Sequence, residues 1–206
     1  MKQEVIRKLE NFLNDFHYYK IEGHNAFQQL FKRGSKIVVL NATAYEDGLM
    51  LEVQLAIRVD EIEANIFRFY KQQETEKLSL SYWENHSQIS LGISKRNLIQ
   101  NEIELSKILS EIENAFVKEG FKWLDDLSNL NNLSEHLKEV IFSSVKRKPN
   151  LFKLCQRSYL LQILLGEKIT DAVFYEYYEQ LQLHKIPEHQ LEEFLEFKSF
   201  LSSTKY

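Results

Sequence analysis

The residues of this chain best equipped for chemistry are six histidines, one cysteine and an adjacent pair of aspartates. His184 and His189 flank Pro187, with Glu192 and Glu193 shortly after. Zinc sites on helices place two imidazoles at i, i+4 on one face. A five-residue separation across a proline does not, so the spacing predicts a solvated helix face. His17 and His24 straddle the expected end of the first helix, without a third ligand nearby in sequence. Cys155 stands in "LFKLCQRSYLL" between Phe152 and Tyr159, where a small residue packs into a core. A nucleophilic thiol needs a neighbouring base and a lowered pKa, and no Cys-His signature marks this one. Asp125-Asp126 has the form of a metal or acid-base pair, but aspartates in a loop before a helix also cap turns, which is the reading adopted. Lys146-Arg147-Lys148 stands where a helix would end, and cations there complement the helix dipole. The glycines are dispersed, so no P-loop, dinucleotide fingerprint or nucleophile elbow is formed. No catalytic residue, metal or cofactor is therefore expected, and an enzyme is the less favoured reading.

The bulk properties point the same way. The chain has 206 residues and a formal net charge of −4, with 44% hydrophobic and 27% charged residues. An acidic balance argues against a nucleic-acid binder. A single cysteine excludes an internal disulfide framework and suits a reducing compartment. "KQEVIRKLENF" near the start lacks the apolar stretch of a signal peptide. No window of the sequence is apolar for long enough to span a membrane. A soluble cytoplasmic protein is expected.

The elements that must position these residues can be read from hydrophobic periodicity. Val5, Ile6, Leu9, Phe12, Leu13 and Phe16 form a helical stripe, predicting a first helix that ends near Gly23. "AFQQLFK", "KIVVLNATAY" and "LMLEVQLAIRV" read as three strands, with turns at Gly34-Ser35 and Asp47-Gly48. "DEIEANIFRFY" suggests a short helix, and "LSLSYW" with "QISLGI" a second hairpin across residues 84–87. A long helix is expected over 97–118 with Gly120 just past its end, then a loop "FKWLDDLSN" and a helix from near Asn132. Pro149, Thr170 and Pro187 each open one of three further helices. The reading is α+β: an antiparallel sheet packed on one face by the first helix and helix 97–118, followed by an α-helical C-terminal region. The domain line is drawn between 1–148 and 149–206.

With Asp47-Gly48 as the turn, Leu51 opposes Ala44, Val53 opposes Ala42, Leu55 opposes Leu40 and Ile57 opposes Val38, all on one buried face. The second face then carries an amide row of Gln28, Asn41 and Gln54. Beside it run an apolar row of Leu30, Val39 and Ala56 and a mixed row of Lys32, Ile37 and Arg58. Apolar ground studded with amides is what a recognition surface needs. The candidate partner-binding residues are accordingly Gln28, Leu30, Val39, Asn41, Gln54, Ala56 and Arg58.

The succession of helix, serial strands and a long helix ending in "FVKEGFKWLDDLSNLNNLSEHL" resembles the uncharacterised bacterial domain-of-unknown-function family 4304. The likeness covers about residues 1–145, with Phe121, Trp123, Leu127, Leu130 and Leu133 at the matching positions. "LFKLCQRSYLLQILLGEKITDAVFYEYYEQL" resembles the helical tails that follow such domains. The resemblance implies a bacterial cytosolic protein and carries no catalytic residues. The leading expectation is a non-catalytic protein-binding module, of inhibitor or escort type, binding an unidentified protein. The alternatives are an enzyme or small-ligand sensor with a site assembled from scattered polar residues, and a self-associating structural subunit.

Overall fold

The computed structural model describes residues 1–71, 78–90, 92–144, 150–167 and 170–204. Lys146-Arg147-Lys148 and Pro149 lie outside the described residues. The chain falls into two compact units, Met1–Glu61 with Glu76–Ser128, and Ile62–Thr75 with Asn129–Tyr206. The sequence reading drew its line at residue 148, whereas this division groups residues 129–144 with the C-terminal helices.

In the first unit α1 (Lys2–Asp15) buries Val5, Ile6, Leu9 and Leu13. It stops well short of Gly23. His17 takes φ 64°, and the amides of His17 and Tyr18 donate back to Asn14 O and Leu13 O, a left-handed helix stop that needs no glycine here. Strands β1 (Tyr19–Lys20), β2 (Ala26–Phe31), β3 (Gly34–Tyr45), β4 (Gly48–Val59) and β5 (Tyr82–Asn85) follow in spatial order, and β6 (Asn97–Ile99) also pairs with β4. Every pairing is antiparallel.

Both long hairpins differ from expectation in the same way. Phe31 pairs with Gly34, and Tyr45 pairs with Gly48. The turn residues are therefore Lys32-Arg33 and Glu46-Asp47, and each glycine is the first residue of the next strand. A Cβ on Gly34 would lie 1.9 Å from Arg58 O, and one on Gly48 would lie 2.6 Å from Ile99 O. Neighbouring backbone excludes a side chain at both positions, and Gly48 also takes a positive φ of 156°. Leu51 thus opposes Ala42, Val53 opposes Leu40, Leu55 opposes Val38 and Ile57 opposes Lys36. The pairs shift by two positions between β3 and β4 and by four between β2 and β3, and each side chain stays on its predicted face, because the strand period is two.

The inner face holds Phe27, Val38, Leu40, Leu51, Val53, Leu55 and Ile57, all buried. Its polar corner is closed locally. Gln29 Nε2 donates to Phe16 O at 3.0 Å, and Lys36 Nζ donates to Gln29 Oε1 at 2.9 Å and pairs with Asp125. The expected second hairpin is absent. Asn85 ends β5 and caps α3 (His86–Ile89), accepting from the Ser87 amide. Residues 97–99 are strand, so the long helix begins later, as α4 (Glu102–Ala115) capped by Asn101. The expected loop after it is helical. A π-helical turn, Phe116–Gly120, carries α4 into α5 (Phe121–Ser128), and α5 packs on β3 and β4.

The second unit is helical: most of α2 (Asp60–Tyr70), then α6 (Leu130–Phe142), α7 (Leu151–Leu164), α8 (Asp171–Leu183) and α9 (Glu188–Ser203). Thr170 caps α8, accepting from Val173 N. Gly166 follows α7 with φ 75°. Pro187 occupies the cap position of α9, one residue before its expected place. Phe174, Tyr177, Phe194 and Phe197 fill the interior, with the Phe174 and Phe194 rings stacked at 5.0 Å.

Candidate functional site

The chemically equipped residues do not converge. Among the described residues no three His, Cys, Asp or Glu side chains lie close enough to hold a metal ion. Cys155 forms no disulfide and is fully buried. His17, His24 and His189 are exposed, while Glu193 is engaged by the Tyr70 hydroxyl. Asp125 and Asp126 stand on α5 and not in a loop, and Asp125 is paired with Lys36. His184 closes α8 and lines a pocket of about 560 Å3 with Phe142, Gln180 and Leu183.

The strands place all seven candidate partner-binding residues on one face of the sheet, the one opposite the helices. The predicted rows are replaced by those of the true register. Tyr19, Gln28, Ile37, Ala56 and Trp83 form one row across five strands, and Val39, Gln54 and Asn85 form another. Leu30 lies beside Ser35 and Arg58, and Asn41 lies beside Glu52. The amide row of Gln28, Asn41 and Gln54 does not form, and neither does the row of Leu30, Val39 and Ala56. Lys32 belongs to a turn.

The centre of this face is covered. Ile21, Ala26, Ile37 and Ala56 make a small core against which Val39, Leu78 and Leu80 pack. Ala56 is therefore fully buried and out of reach of a partner. Arg58 is committed to the same cover, donating from Nε to Asp60 Oδ1 and from Nη1 to Ser79 O, both at 3.0 Å. These two belong to the support, a correction to the candidate set.

Two open regions flank the cover. At one corner Leu30 is 75% exposed and Tyr19 62%. They are diagonal neighbours on adjacent strands, within reach of one another at the usual spacing. At the far end Asn41, Thr43, Tyr45, Met50, Glu52 and Arg96 line a pocket of about 160 Å3. Arg96 Nε donates to Glu52 Oε1 at 2.6 Å, and this bond and charge hold the guanidinium above its already high pKa. Arg96 was missed in the sequence, because only the pairing of β6 with β4 brings its neighbourhood beside Glu52.

One unusual group lies on the helical side. His86 is 1% exposed, and neither ring nitrogen has a hydrogen-bond partner among the described residues. Its ring is 4.5 Å from Phe116, and Nε2 is 3.2 Å from where a Cβ on Gly120 would stand. Burial pushes its pKa down from 6.5 to about 4, against a smaller upward pull from Glu119. The buried imidazole is packed against Phe116 and the π-helical turn that ends at Gly120.

No known protein family matches the chain, and no curated protein or solved structure does either.

Proposed function

We propose that this chain is a non-catalytic protein-binding module, of inhibitor or escort type, whose partner docks on the open parts of the outer sheet face. The observation that carries the reading is Leu30, 75% exposed beside Tyr19 on paired strands. Contiguous apolar exposure on a rigid sheet is where partners dock. Gln28, Val39 and Gln54 are half-buried and Asn41 is exposed, so amides border apolar ground, as in the mixed composition of protein interfaces. The scattered placement of histidine, cysteine and acidic side chains supports binding over catalysis. A cytosolic setting suits the single reduced cysteine, and the likeness to family 4304 would make the host bacterial.

A second reading, a small-ligand sensor, draws on the pocket of about 560 Å3 between the C-terminal ends of α6 and α8, a volume within the range of small-molecule sites. Recovery from native cells distinguishes the two. The tagged chain should bring down one protein at stoichiometric yield, and Leu30→Asp should lose it. Equal recovery by Leu30→Asp would sink the docking face. Recovery of the chain alone, with Leu183→Asp altering a bound metabolite profile, would favour the sensor.

A further inference from the structure

We infer that the pocket at the far end of the outer face receives a carboxylate side chain of the partner, with Arg96 as its anchor. The inference rests on the protein-binding reading and adds the chemistry of the contact. At about 160 Å3 the pocket is below the roughly 300 Å3 at which small-molecule sites begin, and it suits a single side chain. Its cation is poised for an incoming anion. The Arg96 side chain is 70% exposed, whereas that of its partner Glu52 is 21% exposed. Glu52 thus sits deeper and, among the described residues, holds the guanidinium through Nε. A guanidinium carries five donors in a planar fork, and carboxylates bind such a fork through two parallel hydrogen bonds. The terminal nitrogens of Arg96 supply that pair.

The rest of the lining fits the same guest. Asn41 and Thr43 are exposed and offer an amide and a hydroxyl, while Tyr45 and Met50 offer apolar surface to an aliphatic stem. Arg58, another cation on this face, is tied to Asp60 and Ser79. A cationic guest is disfavoured, because Glu52 is already paired with Arg96 and is the less exposed of the two. An aspartate or glutamate of the partner therefore completes a Glu52–Arg96–carboxylate triad.

The test uses the isotope-labelled full chain titrated with N-acetyl-glutamate N-methylamide, and in parallel with the corresponding glutamine and lysine compounds. Saturable shifts at the Asn41, Thr43, Tyr45 and Met50 amides and at Arg96 Nε–H are expected with the glutamate compound only. Arg96→Gln should weaken that binding at least tenfold while leaving the other amide shifts in place. Absence of saturable shifts, unchanged binding by Arg96→Gln, or preference for the lysine compound would each overturn the assignment. Once the partner is recovered, the two readings separate. Loss with Leu30→Asp but not with Arg96→Gln overturns the anchor alone, whereas retention by both variants overturns the docking face as well.

Discussion

In the helical unit α7 carries Gln156, Arg157, Ser158 and Gln162 into the interior, and each finds a partner, whereas the sheet unit buries His86 and Ser90 with their side chains unpaired. Arg157 meets Glu63 through two parallel bonds, Nε to Oε1 at 3.0 Å and Nη2 to Oε2 at 2.8 Å. The Gln156 amide reaches the Tyr70 hydroxyl at 3.1 Å, and Ser158 and Gln162 share the Tyr177 hydroxyl. Ser134 Oγ is one exception in the helical unit. The difference teaches what each unit uses polarity for. Apolar helix faces are interchangeable, and paired polar groups at fixed positions make one packing cheaper than its rivals. A sheet already has its register fixed by the backbone ladder and the face alternation. Its interior can therefore be apolar, and a polar group stranded there is a cost, about 1–3 kcal/mol for an unmade hydrogen bond.

The largest expected effect comes from adding a charge where the sheet has nothing to receive it. Val53 is buried opposite Leu40 on the inner face. Val53→Asp should cost several kcal/mol in effect and abolish cooperative melting followed by circular dichroism. A soluble variant with an unchanged transition would show that this face is not the core. In the helical unit the expected loss follows from removing half of a pair. Arg157→Met removes both bonds that Arg157 gives the fully buried Glu63 carboxylate and should cost about 3–5 kcal/mol. Adding Glu63→Leu should restore most of that loss in urea denaturation. A double variant no better than the single one would mean that the pair does more than neutralise itself.

His86 supplies the next, pH-dependent contrast. Above pH 6.5 its imidazole is neutral in the folded and unfolded chain alike. Below that, the unfolded chain takes up the proton first, because the folded pKa is depressed to about 4. Stability present above pH 6.5 is thus lost as the pH falls through about 4. The full loss is about 3 kcal/mol at roughly 1.36 kcal/mol per pH unit. His86→Phe, which keeps the ring contact with Phe116 and has no proton to gain, should flatten this part of the urea-midpoint profile. A profile identical to the parent would place the acid sensitivity elsewhere.

Much of the sheet was legible because alternation is a strong signal, and side-chain parity survives a slip of two residues. Register was not legible. Gly34 and Gly48 carry the composition of turns, but Arg58 O and Ile99 O, distant in sequence, are what exclude a side chain there. β6 is only three residues long, too short to alternate. The stretch "FKWLDDLSN" looks like a loop by its polar content, yet Leu124 and Leu127 bury one side of α5. His86 offered no signal beyond the Asn85-His86-Ser87 capping pattern. For the candidate site, shared facing was readable and openness was not. Leu78 and Leu80 arrive from a segment whose apolar residues read as a strand, and they cover Ala56 while leaving Leu30 and Asn41 outside.

The smallest expected change in stability is also the most direct test of the docking face. Asn41 is exposed at the edge of the pocket, so Asn41→Trp, which fills the pocket without adding a charge, should alter stability by no more than about 0.5 kcal/mol, as surface substitutions do. The measurement is partner recovery by the tagged Asn41→Trp chain beside the parent, with both melting curves recorded on the same preparations. An unchanged melting temperature with the partner lost is the predicted result. An unchanged melting temperature with the partner fully recovered would contradict a docking surface on this face.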